Sequence, residues 1–65
     1  MKTSNFVAEL ISAGCYIHRH GKSHDMWVSP ITGNKTLVPR HGSKELATGT
    51  ELNIRRLLGV PKKRG

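Results

Sequence analysis

Residues 15–39 read CYIHRHGKSHDMWVSPITGNKTLVP, and the punctuation of this stretch decides the architecture. Three short runs, 15–20, 24–29 and 36–38, are separated by two clusters of turn residues, Gly21-Lys22-Ser23 and Ser29-Pro30-Ile31-Thr32-Gly33-Asn34-Lys35. Runs of this length, bounded by Gly, Pro, Asn and Ser, read as strands. In the first run Cys15 and Ile17 alternate onto one face, and Tyr16, His18 and His20 onto the other. In the second, Trp27 opposes Met26 and Val28, so alternation does not say which of them faces the core. Pro39 stops the third, because proline has no N–H to offer a ladder. The Gly33-containing loop folds 24–29 against 36–38 as a hairpin.

A helix is predicted on each side of the strands. Before them, Thr3, Ser4 and Asn5 offer side-chain oxygens to a first turn. Phe6, Val7, Leu10 and Ile11 follow at helical spacing, and Gly14 supplies a stop. The expected helix spans 4–13, with Phe6, Leu10 and Ile11 in the core. After the strands, Thr48-Gly49-Thr50-Glu51 has the form of a capping box. Leu52, Ile54, Leu57 and Leu58 then form an apolar stripe, which Gly59 and Pro61 end. The reading is α+β, in the order α-β-β-β-α. A three-stranded antiparallel sheet with both helices on one face buries every stripe. Double-stranded-RNA-binding domains have this arrangement, although a fold does not fix a function. One domain is expected over 1–60, with a basic, disordered tail at 61–65.

The chain has 65 residues, eleven Lys and Arg, four Asp and Glu, and a formal net charge of +7. So short a chain has a thin core and little room for a dinucleotide. A charge of that density implies an anionic partner: nucleic acid, an acidic protein or a membrane surface. No apolar run is long enough to cross a bilayer, and no signal peptide is visible. A cytoplasmic protein is expected. Cys15, the single cysteine, cannot form an internal disulfide and suits a buried apolar position.

Three of the four histidines, His18, His20 and His24, lie around the turn at 21–23. An imidazole can give or take a proton near neutral pH. Cleavage next to a ribose 2′-hydroxyl needs such a group, together with donors that stabilise the charge on phosphorus. Lys22 could meet the phosphate, Ser23 could hydrogen-bond one of its oxygens, and His24 could act as acid or base. Gly21 lets the backbone approach closely. Arg19, Lys22, Arg40, His41 and Lys44 surround the histidines and suit phosphate contacts, as does Lys35. Arg55 and Arg56 read equally as the solvated face of the second helix, where cations near the C-terminus are favourable. A zinc reading of His18, His20 and His24 is opposed by Cys15 lying on the other strand face and by the lack of a carboxylate at a completing spacing. No cofactor and no metal is expected.

Taken in order, these stretches resemble the HicA toxins, small RNA-cutting components of bacterial toxin–antitoxin pairs. The matching stretches are Gly21-Lys22-Ser23-His24-Asp25, Val38-Pro39-Arg40-His41, Lys44-Glu45-Leu46, and Gly49-Thr50 leading to Ile54-Arg55 and Leu58-Gly59. The resemblance covers residues 4–60. It implies a double-stranded-RNA-binding-like fold, ribosome-independent cleavage of mRNA, catalysis by His24, and a HicB antitoxin that covers the active site. Many family members carry a second histidine where this chain has Asp25. The second proton-transfer group is thus open among His20, His41, Lys22 and water. Two other readings use the same residues: a noncatalytic RNA-binding module, and a structural protein whose basic face meets an acidic partner.

Overall fold

The computed structural model describes residues 1–40 and 42–62. His41 and the tail residues 63–65 lie outside the described residues. The order is α1 (Thr3–Ser12), β1 (Tyr16–His20), β2 (His24–Val28), β3 (Lys35–Pro39) and α2 (Thr48–Leu58). The strands form one antiparallel sheet in the order β1-β2-β3. Both helices pack on one face of it, as expected. Phe6 and Leu10 of α1 and Ile54 and Leu58 of α2 meet Cys15, Trp27, Val38, Leu46 and Val60 in a single core.

The central strand resolves the ambiguity of the second run. Asp25 and Trp27 are buried, while Met26 and Val28 lie half-buried on the outer face with exposed His24. Trp27 carries the largest apolar surface in the strand, and turning it inward removes most of that surface from water.

β1 departs from simple alternation. Ile17 pairs with Trp27 and Arg19 with Met26, so the register slips by one and His18 is left as a bulge. Directly opposed residues share a face. His20, opposite Asp25, therefore turns to the helix side with Ile17. Arg19 turns outward with Tyr16. The expected grouping of Tyr16, His18 and His20 on one face is thus corrected by one inserted residue.

Ile11 is not a core residue: it is 60% exposed. The buried positions of α1 are Thr3, Phe6 and Leu10, a stripe that leaves Ile11 a further 100° round the helix. Side-chain caps are also absent at both helix starts. Lys2 and Ala47 occupy the cap positions without side-chain hydrogen bonds. At α1 the loop before α2 does the capping. The Lys44 carbonyl accepts from Thr3 N and Thr3 Oγ1, both at 3.0 Å, and the Gly42 carbonyl accepts from Ser4 N at 3.1 Å. At α2, Glu51 is turned away from the helix start toward Arg55.

The β2–β3 loop caps the other end of α2. Ser29 Oγ donates to the Leu58 carbonyl, and Thr32 Oγ1 and Asn34 Nδ2 donate to the Leu57 carbonyl at 2.9 and 2.8 Å. These carbonyls have no partner within the helix. Gly59 takes a left-handed conformation with φ 68°, and Val60 N donates back to the Arg55 carbonyl at 3.0 Å. A side chain at Gly59 would be strained there and would also press on Thr32.

Arg55 corrects the solvated-face reading. It is 4% exposed. Its Nε donates to Glu51 Oε2 at 2.8 Å and its Nη1 to Glu9 Oε1 at 3.0 Å. Its guanidinium carbon stands 5.0 Å from the centre of the Phe6 ring. Burial pushes its pKa down, but the hydrogen bonds and opposite charges of Glu9 and Glu51 together outweigh burial and hold it above the ordinary arginine value. Arg56 does match the exposed-face reading and donates to Asn53 Oδ1 at 3.0 Å.

Candidate active site at the end of the β1–β2 hairpin

The chemistry-bearing residues gather where β1 turns into β2. Gly21 stands opposite His24 and donates its N–H to the His24 carbonyl at 2.9 Å. A Cβ on Gly21 would collide with that carbonyl oxygen, so the close approach requires glycine. The tip, Lys22-Ser23, is exposed. His24 opens β2 on the outer face, and its Nδ1 lies 3.0 Å from Ser23 Oγ. With Nδ1 so occupied, Nε2 is the ring nitrogen available to a bound molecule.

The segment after β3 fastens this turn. Arg40 N donates to the Ser23 carbonyl at 3.1 Å, and Arg40 Nη2 donates to the Gly21 carbonyl. The same guanidinium holds Asp25 Oδ1 through Nε at 3.2 Å and Nη2 at 2.8 Å. Asp25 Oδ1 also lies 3.0 Å from His20 Nδ1. One buried carboxylate thus joins the end of β1, the start of β2 and the residue after β3.

Of the expected site residues, Gly21, Lys22, Ser23, His24 and Arg40 are brought together here. Arg19 lies on the outer face of β1 and is exposed. Lys44 is exposed, and its loop is tied to the start of α1; among the described residues no hydrogen bond joins Lys44 to the turn. Arg40 is not the free phosphate clamp the sequence suggested, because Nε and Nη2 are engaged inside the protein. Asp25 was missed as a functional residue. The signal for it was a carboxylate one residue into β2, where pairing across the Gly21 turn sets it opposite His20.

Along its outer face the sheet is partly open to solvent. Tyr16 and Leu37 are 54% and 53% exposed on the outer face, beside Met26 and Val28. Hollows of the surface lie along α2, lined by Leu52, Arg55, Arg56, Gly59 and Pro61 among others, and between the end of α1 and Val60-Pro61. At the hairpin end Gly21, Lys22, Ser23 and His24 are all exposed. Among the described residues, no three of His, Cys, Asp and Glu are grouped as metal ligands. No described helix is long and apolar enough to cross a membrane.

The Asp25 carboxyl is held below its ordinary value of 3.8, first by the hydrogen bond from Arg40 and then by that from His20, while burial works against both. A depressed carboxylate pKa stabilises the fold above the unfolded value and ceases to do so as pH falls through the folded one. We therefore expect an Asp25 carboxyl titration, followed by NMR, with its midpoint below 3.8. Exchange protection of the Arg40 N–H should fall over the same range. A midpoint at or above the ordinary value would contradict the clamp.

The protein is thus a small α-β-β-β-α domain with an exposed histidine at a basic hairpin end. The chain belongs to the HicA toxin family: the family described as HicA toxin of bacterial toxin-antitoxin matches residues 3–60. It is thus the toxin of a toxin–antitoxin pair, and membership implies an antitoxin partner. No curated protein and no solved structure matches the chain.

Proposed function

We propose that this toxin is a metal-independent, ribosome-independent endoribonuclease that cuts mRNA in the cytoplasm. The observation that carries the reading is His24, set on the open face of the sheet at a turn fastened by Arg40, with Lys22 and Ser23 beside it. The 2′-oxygen of one nucleotide attacks the adjacent phosphorus, with His24 moving one of the two protons. The Lys22 ammonium and the Ser23 hydroxyl contact the non-bridging oxygens, where negative charge grows. Arg19, Lys44 and the remaining Nη1 of Arg40 hold the RNA backbone, His41 adds a further contact, and the Gly21 backbone comes close to the phosphate. A HicB-type antitoxin covering the hairpin end blocks access to all of these groups.

The test is incubation of purified protein with RNA, with and without a chelator, at two salt concentrations. Cleavage should survive chelation, give 2′,3′-cyclic phosphate ends, and weaken as salt rises because phosphate contacts release counterions. Loss of cleavage on chelation would overturn the metal-independent mechanism. Salt-sensitive binding without products would replace it with the noncatalytic RNA-binding module.

A further inference from the structure

We propose that His20 is the second proton-transfer group of the site, oriented by Asp25. The inference rests on the ribonuclease reading and goes beyond it by completing the pair of groups that the reaction needs. Transesterification moves two protons: one leaves the 2′-hydroxyl as the 2′-O–P bond forms, and one reaches the 5′-oxygen as the P–O5′ bond breaks. Nothing is oxidised or reduced. One neutral imidazole ends protonated, one imidazolium ends neutral, and exchange with solvent restores both.

Three observations place His20 in this role. The first is orientation. An ionised Asp25, held by Arg40, can only accept hydrogen bonds. The contact at 3.0 Å therefore puts a proton on His20 Nδ1 and leaves Nε2 for proton transfer. A carboxylate behind an imidazole is the usual device for fixing its tautomer and its aim.

The second is access. The His20 side chain is 71% exposed although its partner, the Asp25 side chain, is only 8% exposed. A purely structural ion pair has no need of an open ring on one side and a buried carboxylate on the other.

The third is placement. Gly21 directly faces His24, so His20 and His24 flank the same glycine across the strand pair. The bulge at His18 sends His20 to the helix side of the sheet, whereas His24 opens on the outer side. The two rings thus approach the hairpin end from opposite faces. In-line displacement has that requirement, since the attacking and leaving oxygens lie on opposite sides of phosphorus. The charged groups facing His20 are Asp25 from β2 and, on the same carboxylate oxygen, Arg40 from beyond β3. His24 has Ser23 Oγ at its Nδ1, with Lys22 two residues before it in the turn.

The experiment compares wild type, His20→Gln and His24→Gln on RNA and on a ribonucleoside 3′-(4-nitrophenyl) phosphate. The nitrophenolate leaves without needing a proton. Burial of Trp27 provides a fluorescence check that each variant is folded. We expect His20→Gln to lower kcat on RNA about 100-fold, to leave KM within about threefold, and to flatten one limb of the pH profile. On the nitrophenyl ester one of the two variants should recover to near wild-type rate, identifying the acid, while the other does not. A His20→Gln enzyme that keeps kcat within about threefold on RNA, or keeps both limbs, overturns the proposal. So does failure of both variants to recover on the activated ester. If wild type itself does not cleave RNA, the ribonuclease reading falls and takes this inference with it. If wild type cleaves and His20 is dispensable, only the inference falls.

Discussion

His24→Ala is expected to yield a folded protein whose RNA cleavage is slower by about 10²–10⁴-fold, the usual worth of a general acid or base. The fold should survive because the His24 side chain is exposed and, among the described residues, its hydrogen bond runs to an exposed serine hydroxyl at the tip. The backbone at residue 24 keeps its bond from Gly21 and its place opposite Pro39. The change is thus confined to the imidazole. The loss should appear in kcat with little movement of KM, since Lys22, Ser23 and Arg19 remain to hold the phosphate backbone. In cells the substitution should abolish growth arrest on expression without the antitoxin. Wild-type cleavage by a correctly folded His24→Ala protein would remove His24 from the mechanism.

Arg55→Ala should cost about 3–5 kcal/mol, the scale for breaking a buried ion pair from one side. The substitution leaves Glu51, at 5% exposure, without its counter-charge. It also removes the donors to Glu9 and to the carbonyls of Val60 and Pro61, and the cation over the Phe6 ring. A domain of this size has only about 3–10 kcal/mol of total stability, so the loss is a large fraction of it and the urea midpoint should fall accordingly. Arg55→Lys should fall between the two, because an ammonium cannot serve both carboxylates and two carbonyls through a planar fork. Urea unfolding followed by Trp27 fluorescence measures both. A loss below about 1 kcal/mol for the alanine variant would mean that the two glutamates find other partners.

The chain's turn residues carried most of the architecture in plain view. Gly21-Lys22-Ser23 and the segment around Gly33 marked both strand connections, and Gly59 marked the end of α2, because each of these does its work locally. What was hidden depends on partners far along the chain. Arg55 looked like a surface cation because Glu9, which helps to bury its charge, is 46 positions away. Thr48 and Glu51 had the spacing of a capping box, yet Glu51 is drawn to that same arginine. Ser29, Thr32 and Asn34 read only as loop formers, although they close the carbonyl end of α2. At the site, His24 was legible from the turn beside it. The Asp25–Arg40 clamp was not, since Arg40 reaches it from fifteen residues away, from just beyond the end of the third strand. The half of the site nearest the helices was misread because a single inserted residue shifts the alternation of β1.

That inserted residue also says where the domain can change length. If His18 were skipped, Tyr16, Ile17, Arg19 and His20 would keep the partners and faces they now have. The edge strand therefore carries one surplus letter, and a deletion there leaves the His20–Asp25 pairing intact. The same deletion inside β2 would change the face of several of His24, Asp25, Met26 and Trp27 relative to both neighbouring strands. Among related chains, then, one-residue gaps and insertions are to be sought in β1, and a chain that lacks the extra residue should still be aligned with its last strand residue opposite the buried carboxylate.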